Sequence, residues 1–255
     1  MADAKDQLQA EANATKTSGG KVLRPRDAAT LIILDVSGSE PKVLLGKRRL
    51  DLAFMPGKYV FPGGRVDRAD HTVAVAKDLA AAEVAKLLVG MRGNPSPARA
   101  RALAAAAVRE AFEEAGIIVG APTARKPASI APSWKPFHET GYGPALDRLR
   151  LIARAITPPG RSRRYDTRFF CVDADAIVER RDRVDGELSG LEWLTLDDAG
   201  QLDIPRITRV VLEDLGEHIR SGTLRNGAAS VPFYYQRNGT FKRDIIRTDA
   251  SRLEP

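Results

Sequence analysis

The sequence predicts an α+β fold, a mixed β-sheet covered by helices. Three observations lead there. Runs of β-type residues recur along the whole chain at irregular intervals, helical segments fall between them, and no internal repeat organises either. With 255 residues and 43% hydrophobic content, the chain is long enough for one good-sized core, with or without appendages.

The elements follow in order. Residues 1–26 are polar, alanine-rich and aperiodic, and include Ser18-Gly19-Gly20. They read as a disordered tail, because they cannot bury enough apolar surface to offset the entropy of ordering. A main domain is expected over 27–220. Thr30–Val36 and Lys42–Gly46 are β-type runs joined by Ser37–Pro41, a plausible hairpin, and Tyr59–Phe61 looks like a third strand stopped by Pro62-Gly63-Gly64. Val73–Val89 is alanine-rich with helical spacing, and the stretch 90–97 breaks it. The next helix is well punctuated: Ser96 suits the N-cap, Pro97 the first turn, and Gly116 follows the last turn. Ile117–Val119 reads as a short buried strand. Leu151–Ile156, Arg168–Val172 and Leu191–Thr195 are further strand candidates, and Pro205 opens a helix to about Arg220. Residues 221–255 read as a C-terminal extension packed on the domain. There Asn238-Gly239, between Val231–Gln236 and Thr240–Ile246, is the chain's strongest two-residue hairpin signal.

Composition narrows the function. No apolar run approaches the roughly 20 residues that span a bilayer, the N-terminal stretch lacks the apolar segment of a secretory signal, and no peroxisomal tripeptide closes the chain, so a cytoplasmic protein without membrane attachment is expected. Cys171 stands alone, which removes intramolecular disulfides and cysteine-based zinc sites. His71, His138 and His218 lack metal-ligand spacing. The net charge of +7 suggests an anionic partner. It concentrates at Arg148, Arg150, Arg154, Arg161, Arg163, Arg164 and Arg168, with Asp166 the one acid among them. A phosphate-bearing small molecule is the expected partner; nucleic acid is not, since no RNA-binding module accompanies the patch.

The chemistry concentrates in Arg109-Glu110-Ala-Phe-Glu113-Glu114-Ala-Gly116. Spacings of three and four gather Glu110, Glu113 and Glu114 on one helical face and leave Val108, Phe112 and Ala115 for the core. Three carboxylates together repel one another unless a cation sits among them. Hard divalent ions take oxygen ligands, so the face is a natural platform for Mg²⁺ (or Mn²⁺) and a phosphorylated substrate. Arg109, one turn before Glu113, is placed to hold its carboxylate.

Phe61-Pro62-Gly63-Gly64 lies upstream, and Asp70 follows Gly64 by six positions. With these the sequence resembles the Nudix hydrolase superfamily, whose signature is a glycine, five residues, an acid, seven residues, then Arg-Glu-aliphatic-x-Glu-Glu-x-Gly-aliphatic. Arg109, Glu110, Glu113, Glu114, Gly116 and Ile117 match its second half, with Ala111 at the first aliphatic position. Asp70 replaces the usual Glu. Between Asp70 and Arg109 stand 38 residues where the signature has seven, an insertion of 31 expected to be helical and to occupy about 71–101. The resemblance implies a Nudix-type α/β/α sandwich and cleavage of a diphosphate bond in a nucleoside diphosphate derivative. It further implies Glu110, Glu113, Glu114 and Asp70 as metal ligands, with Glu114 first and Glu187 second as general base. Gly63 and Gly64 would shape the turn beside the substrate, where backbone approaches closely. Homodimers are common among Nudix proteins, so a homodimer fits as well.

A long insertion inside the signature is similar to one branch, the peroxisomal-type coenzyme A diphosphatases and their bacterial relatives. Phe54–Gly64, Ile156-Thr157-Pro158, Arg163–Phe170 and Glu187–Trp193 followed by Thr208 also resemble that branch. The motif upstream of the signature agrees at Gly57-x-x-x-Phe61-Pro-Gly-Gly64. It departs at Ala53, where an arginine is expected, and at Leu45-Gly46-Lys47, where a threonine is. Coenzyme A or an acyl-coenzyme A is the leading substrate. Arg163, Arg164 and Arg168 would clamp phosphates while Tyr165 and Phe169 stack adenine. Of Phe169 and Phe170, alternating in a strand, one is expected in the core, and Trp134 and Trp193 read as packing residues. Rivals are ADP-ribose, NADH, dinucleoside polyphosphates or a nucleotide sugar, and, from another class, a non-catalytic nucleotide-binding Nudix module. The single cysteine argues against a zinc-ribbon NADH pyrophosphatase.

Overall fold

In the computed structural model, residues 23–52, 55–123, 129–181, 187–224 and 230–248 and the backbone of 253–254 are described. The polar tail therefore lies outside the described residues up to residue 22. Its last part belongs to the fold: Arg26 already begins the first strand, and its N–H donates to the Arg164 carbonyl.

β-Branched and aliphatic runs build the central sheet. Its strands are β1 (Arg26–Asp35), β2 (Lys42–Arg48), β3 (Tyr59–Val60), β4 (Gly63–Arg65), β7 (Arg150–Ile156), β8 (Tyr165–Asp173), β10 (Leu188–Thr195), β11 (Val231–Arg237), β12 (Thr240–Ile246) and β13 (Leu253–Glu254). The order is β10-β2-β1-β8-β7-β11-β12-β13, with β3 on β2 and β4 on β1. β1 and β8 run parallel, as do β7 and β11, while the β1–β2, β7–β8 and β2–β10 pairs are antiparallel. The sheet is mixed. A smaller sheet joins β5 (Ile117–Pro122) to β6 (Tyr142–Pro144) and β9 (Ile177–Arg180).

Alternation along the central strands sorts the core into two layers. Ala29, Leu31, Ile33, Phe170 and Val172 face one layer, and Ile32, Leu34, Phe169 and Cys171 face the other. Both phenylalanines are thus buried, where one was expected. Helix α2 (Pro97–Ala115) covers the first layer and helix α4 (Arg206–Arg220) the second, which makes an α/β/α sandwich. Burial of α2 is unbroken from Ala102 to Arg109, and its alanines let it lie close against β1. Ser96 caps it through the Arg99 N–H, and Gly116 ends it in the left-handed region at φ 68°. A short helix α3 (Leu196–Gln201), not foreseen, leads from β10 towards α4.

The insertion departs from expectation. Helix α1 spans only Ala81–Leu88, because the preceding residues are drawn along β6: Ala76 N–H donates to the Pro144 carbonyl and Leu146 N–H to that of Lys77. Tertiary backbone pairing outweighs helix propensity there. Gly63-Gly64, read as a strand stop, instead forms β4 and pairs with Ala29 and Thr30 of β1. Trp193, read as a packing residue, is 37% exposed on the outermost strand of that sheet edge.

Buried charges tie the insertion to the sheet. Glu83 of α1 pairs with Lys86 at 2.9 Å and accepts the Leu151 N–H of β7 at 2.8 Å. Arg154 grips Asp166 through two bonds of 2.9 and 2.7 Å, while its third nitrogen donates to the carbonyls of Val89 and Gly90. No helix among the described residues is long and apolar enough to cross a membrane.

Candidate active site

Three short-range constraints place the acidic helix. Asp67 caps a 3₁₀ turn (Arg68–His71) that carries Asp70 inward, with the Asp67 N–H donating to Asp70 Oδ2 at 2.7 Å. Arg109 reaches across to Asp70 through Nε (2.9 Å) and Nη2 (3.1 Å) and also donates to the Arg65 carbonyl. Its Nη1 holds both Glu110 (2.9 Å) and Glu113 (2.8 Å). Burial works against the charge on Arg109, but Asp70, Glu110 and Glu113 around it raise its pKa above the ordinary value. Arg109 is the clamp of the site.

Asp70 does not stand among possible metal ligands. Its side chain is 0% exposed, and both oxygens are taken by Arg109, Trp134 Nε1 and the Asp67 N–H. With every lone pair directed at a donor, it orients Arg109 instead. Trp134, read as packing, supplies one of those donors.

Beside the clamp opens a cleft of about 1110 Å³, lined by β1, β4, α2 and the start of β8. Glu110 and Glu114 line it, and Glu113 does not. The backbone of β4 passes directly over the two glutamates. Gly63 N–H donates to Glu114 Oε2 at 2.9 Å, and a Cβ placed on Gly64 would lie 2.5 Å from the Glu110 carboxyl carbon. Only glycine admits that approach. Burial, with Glu113 and Asp70 adding to it against Arg109, pushes the Glu110 carboxyl up to about 7. Burial also pushes Glu114 up to about 8; Glu110 and Glu187 add to it, while the Gly63 N–H and Arg48 oppose it. Two neighbouring carboxylates, one buried and one partly so, that resist ionising together are a natural seat for a cation.

Arg48, which the sequence reading missed, lies between Glu114 Oε1 (3.9 Å) and Glu187 Oε2 (2.9 Å). Nothing in a β-run ending Lys-Arg-Arg distinguishes it from a solvated strand end. Glu187 lines the cleft with its side chain 52% exposed, at its mouth. The far wall is basic. Arg163, Arg164 and Tyr165 line it, joined by Leu23, Arg24 and Arg26 from the stretch read as tail. Arg164 fastens that stretch by donating to the carbonyls of Leu23 and Thr157.

Arg168 is not a cleft residue. It is 1% exposed on the opposite face of β8, paired at 3.0 Å with Asp27 and with Asp166, and Arg99 closes the network on Asp27. Strand alternation puts Tyr165, Thr167 and Phe169 towards the cleft and Arg168 away from it.

Among the described residues no group of three or more His, Cys, Asp or Glu side chains stands close enough to cage an ion alone. Glu110 and Glu114 nevertheless fit Mg²⁺, which is commonly held by one or two carboxylates together with water and substrate phosphate.

No family model matches the chain. Among solved structures it is similar to a NUDIX hydrolase from Alicyclobacillus acidocaldarius, with 28% identity and a TM-score of 0.53 over 74% of this chain and 90% of that one. A MutT NUDIX hydrolase from Burkholderia pseudomallei matches more distantly, with 20% identity and a TM-score of 0.43 over 76% of this chain and 99% of that one. The sandwich, the glutamates under the glycine turn and the first of these likenesses define a hydrolase of the diphosphatase class. The chain has the Nudix fold.

Proposed function

We propose that the chain hydrolyses the diphosphate of a nucleoside diphosphate derivative, with Mg²⁺ or Mn²⁺ held by Glu110 and Glu114. The carrying observation is the pair of carboxylates under Gly63-Gly64, Glu114 buried and Glu110 partly so, at one side of a cleft whose other side is basic. The cation, when bound, offsets negative charge developing on the diphosphate and favours in-line attack by water. Arg109 keeps Glu110 aimed inward, with Glu113 as a second, more exposed carboxylate on the same guanidinium. With Glu110 and Glu114 engaged by the cation, Glu187 is left at the mouth to take the proton of the attacking water.

Coenzyme A or an acyl-coenzyme A is the proposed substrate. Arg24, Arg26, Arg163 and Arg164 on the wall offer more positive charge than a cation-paired diphosphate needs, which suits a further phosphate, and Tyr165 offers a ring for adenine. The volume supports a substrate of that size, since ligand sites usually measure about 300–1,000 Å³.

The test is product analysis by mass spectrometry after incubation with Mg²⁺ and a panel of coenzyme A, acetyl-coenzyme A, ADP-ribose, NADH, diadenosine polyphosphates and nucleoside triphosphates, with Glu114→Gln as control. Release of 3′,5′-ADP and phosphopantetheine is expected. Cleavage of another member keeps the chemistry and discards the substrate. Nucleotide binding without turnover by the unmodified protein, with either metal, replaces the enzyme with a binding module.

A further inference from the structure

Resting on the diphosphatase reading, we infer that Arg48 is a positioning residue that draws Glu187 to the cleft beside Glu114. An exposed carboxylate just before a strand ordinarily turns to solvent. Arg48 reverses that preference. Its Nη2 donates to Glu187 Oε2 at 2.9 Å, and its Nη1 stands 3.9 Å from Glu114 Oε1, so one guanidinium spans both acids.

The arginine is preorganised for this. Its backbone is pinned on both sides, its N–H donating to the Lys58 carbonyl and its carbonyl accepting the Gly57 N–H. Its side chain is only 13% exposed. β10 is pressed against β2: a Cβ on Gly46 would lie 2.8 Å from Leu188 Cβ, and Arg49 N–H donates to the Glu187 carbonyl at 3.2 Å. Backbone pairing thus brings Glu187 to the site, and the Arg48 side chain turns its carboxylate inward. As a mere surface ion pair the contact adds little to stability. Its consequence lies in placing the acid that receives a proton, a contribution of about 10²–10⁴ in rate.

The test compares Arg48→Met, Arg48→Lys, Glu187→Gln and the double variant Arg48→Met/Glu187→Gln in the full chain, on whichever panel member turns over. Arg48→Met and Glu187→Gln are each expected to lower kcat by about 10²–10³ with KM within about threefold, the lysine variant recovering at least about tenfold. The double variant is expected to be no slower than the slower single one, because both remove one function. A raised KM with kcat kept makes Arg48 a substrate contact and overturns the inference, as do losses that multiply in the double variant. The position of the Glu187 carboxylate judges the inference apart from activity: a crystal structure of Arg48→Met with that carboxylate turned away from Glu114 supports it, and an unmoved carboxylate refutes it. No turnover by the wild type on the panel overturns the diphosphatase reading while leaving that structural result in force.

Discussion

Replacing Gly64 by alanine separates the geometry of the glutamate pair from the stability of the fold. A Cβ there lies 2.5 Å from the Glu110 carboxyl carbon and from Oε1, where ordinary contact begins near 3.4 Å. The carboxylate must therefore retreat by about 1 Å, and a shift of that size at a reacting centre lowers turnover by about 10²-fold. The atoms met are the flexible end of a side chain, so stability should change by less than about 1 kcal/mol, roughly 2–4 °C in Tm. Gly63→Ala is the contrast. Its Cβ would meet the Ala29 carbonyl at 2.7 Å and Thr30 Cα at 2.8 Å, backbone that cannot swing aside, and overpacking of that kind destabilises by about 1–3 kcal/mol. Steady-state kinetics on the substrate that the panel identifies, with scanning calorimetry on both variants, decides the matter. In a Glu110→Ala background the Gly64→Ala change should have no further effect on rate. The reasoning is refuted if Gly64→Ala keeps more than a third of wild-type kcat/KM, or if it loses activity only in step with a fall in Tm as large as that of Gly63→Ala.

Other consequences are independent of that one. Asp70→Asn should lower stability by about 3 kcal/mol by breaking a buried pair, yet leave Mn²⁺ affinity, read by EPR, within about threefold; a tenfold loss of affinity in a stable variant would restore Asp70 as a ligand. Arg168→Met should destabilise by about 2–3 kcal/mol, less than an uncompensated pair because Arg154 keeps Asp166 neutralised, with KM unchanged. Arg163→Ala should raise KM about tenfold without moving Tm, and the reverse assignment of effects would put Arg168 back in the cleft. Burial lowers the pKa of His218 and of His138, so the folded state binds fewer protons there than the unfolded chain. Their contribution is present above the unfolded value near 6.5 and is lost as pH falls through the lower folded values. Urea midpoints should therefore fall as pH drops below about 6.5, and His218→Gln should flatten that fall; an unaltered slope would refute the assignment.

What the sequence made legible was local in origin. Ser96, Pro97 and Gly116 bound α2 because capping is decided within a turn, and the i, i+4 spacing of Glu110 and Glu114 follows from helix geometry alone. Asn238-Gly239 turned the β11–β12 hairpin for the same reason, with both residues at positive φ. The misreadings lie where long-range pairing decides. Arg163, Arg164 and Arg168 look alike in a list of arginines, but strand phase turns Arg168 into a buried network with Asp27, 141 positions away. Asp70 has the residue type of a ligand and the surroundings of an anchor, because Trp134 arrives from 64 positions downstream. Arg48 carries no local signal; its role depends on β10 pairing with β2.

The same pairing explains how a signature survives being split. Asp70 and Arg109 close a loop of 38 intervening residues with a two-bond ion pair that is almost wholly buried. Lengthening such a loop from seven residues raises its closure entropy by only about 1.5 kcal/mol, because the dependence is logarithmic. The insertion's own anchors oppose that penalty: Glu83 takes the Leu151 N–H, and Arg154 caps the carbonyls of Val89 and Gly90. Each is a charge-assisted bond, a class worth about 1.5–3 kcal/mol. Cutting either anchor, by Glu83→Gln or Arg154→Leu, should then loosen the insertion while Gly63, Gly64 and the glutamates keep their geometry, since the Asp70–Arg109 pair holds the two halves of the signature together from within. Faster hydrogen exchange confined to 81–91, with turnover within about threefold of wild type, is the outcome that this architecture requires. Loss of turnover at unchanged global stability would mean that the insertion reaches the cleft, and that the signature is held from outside as well.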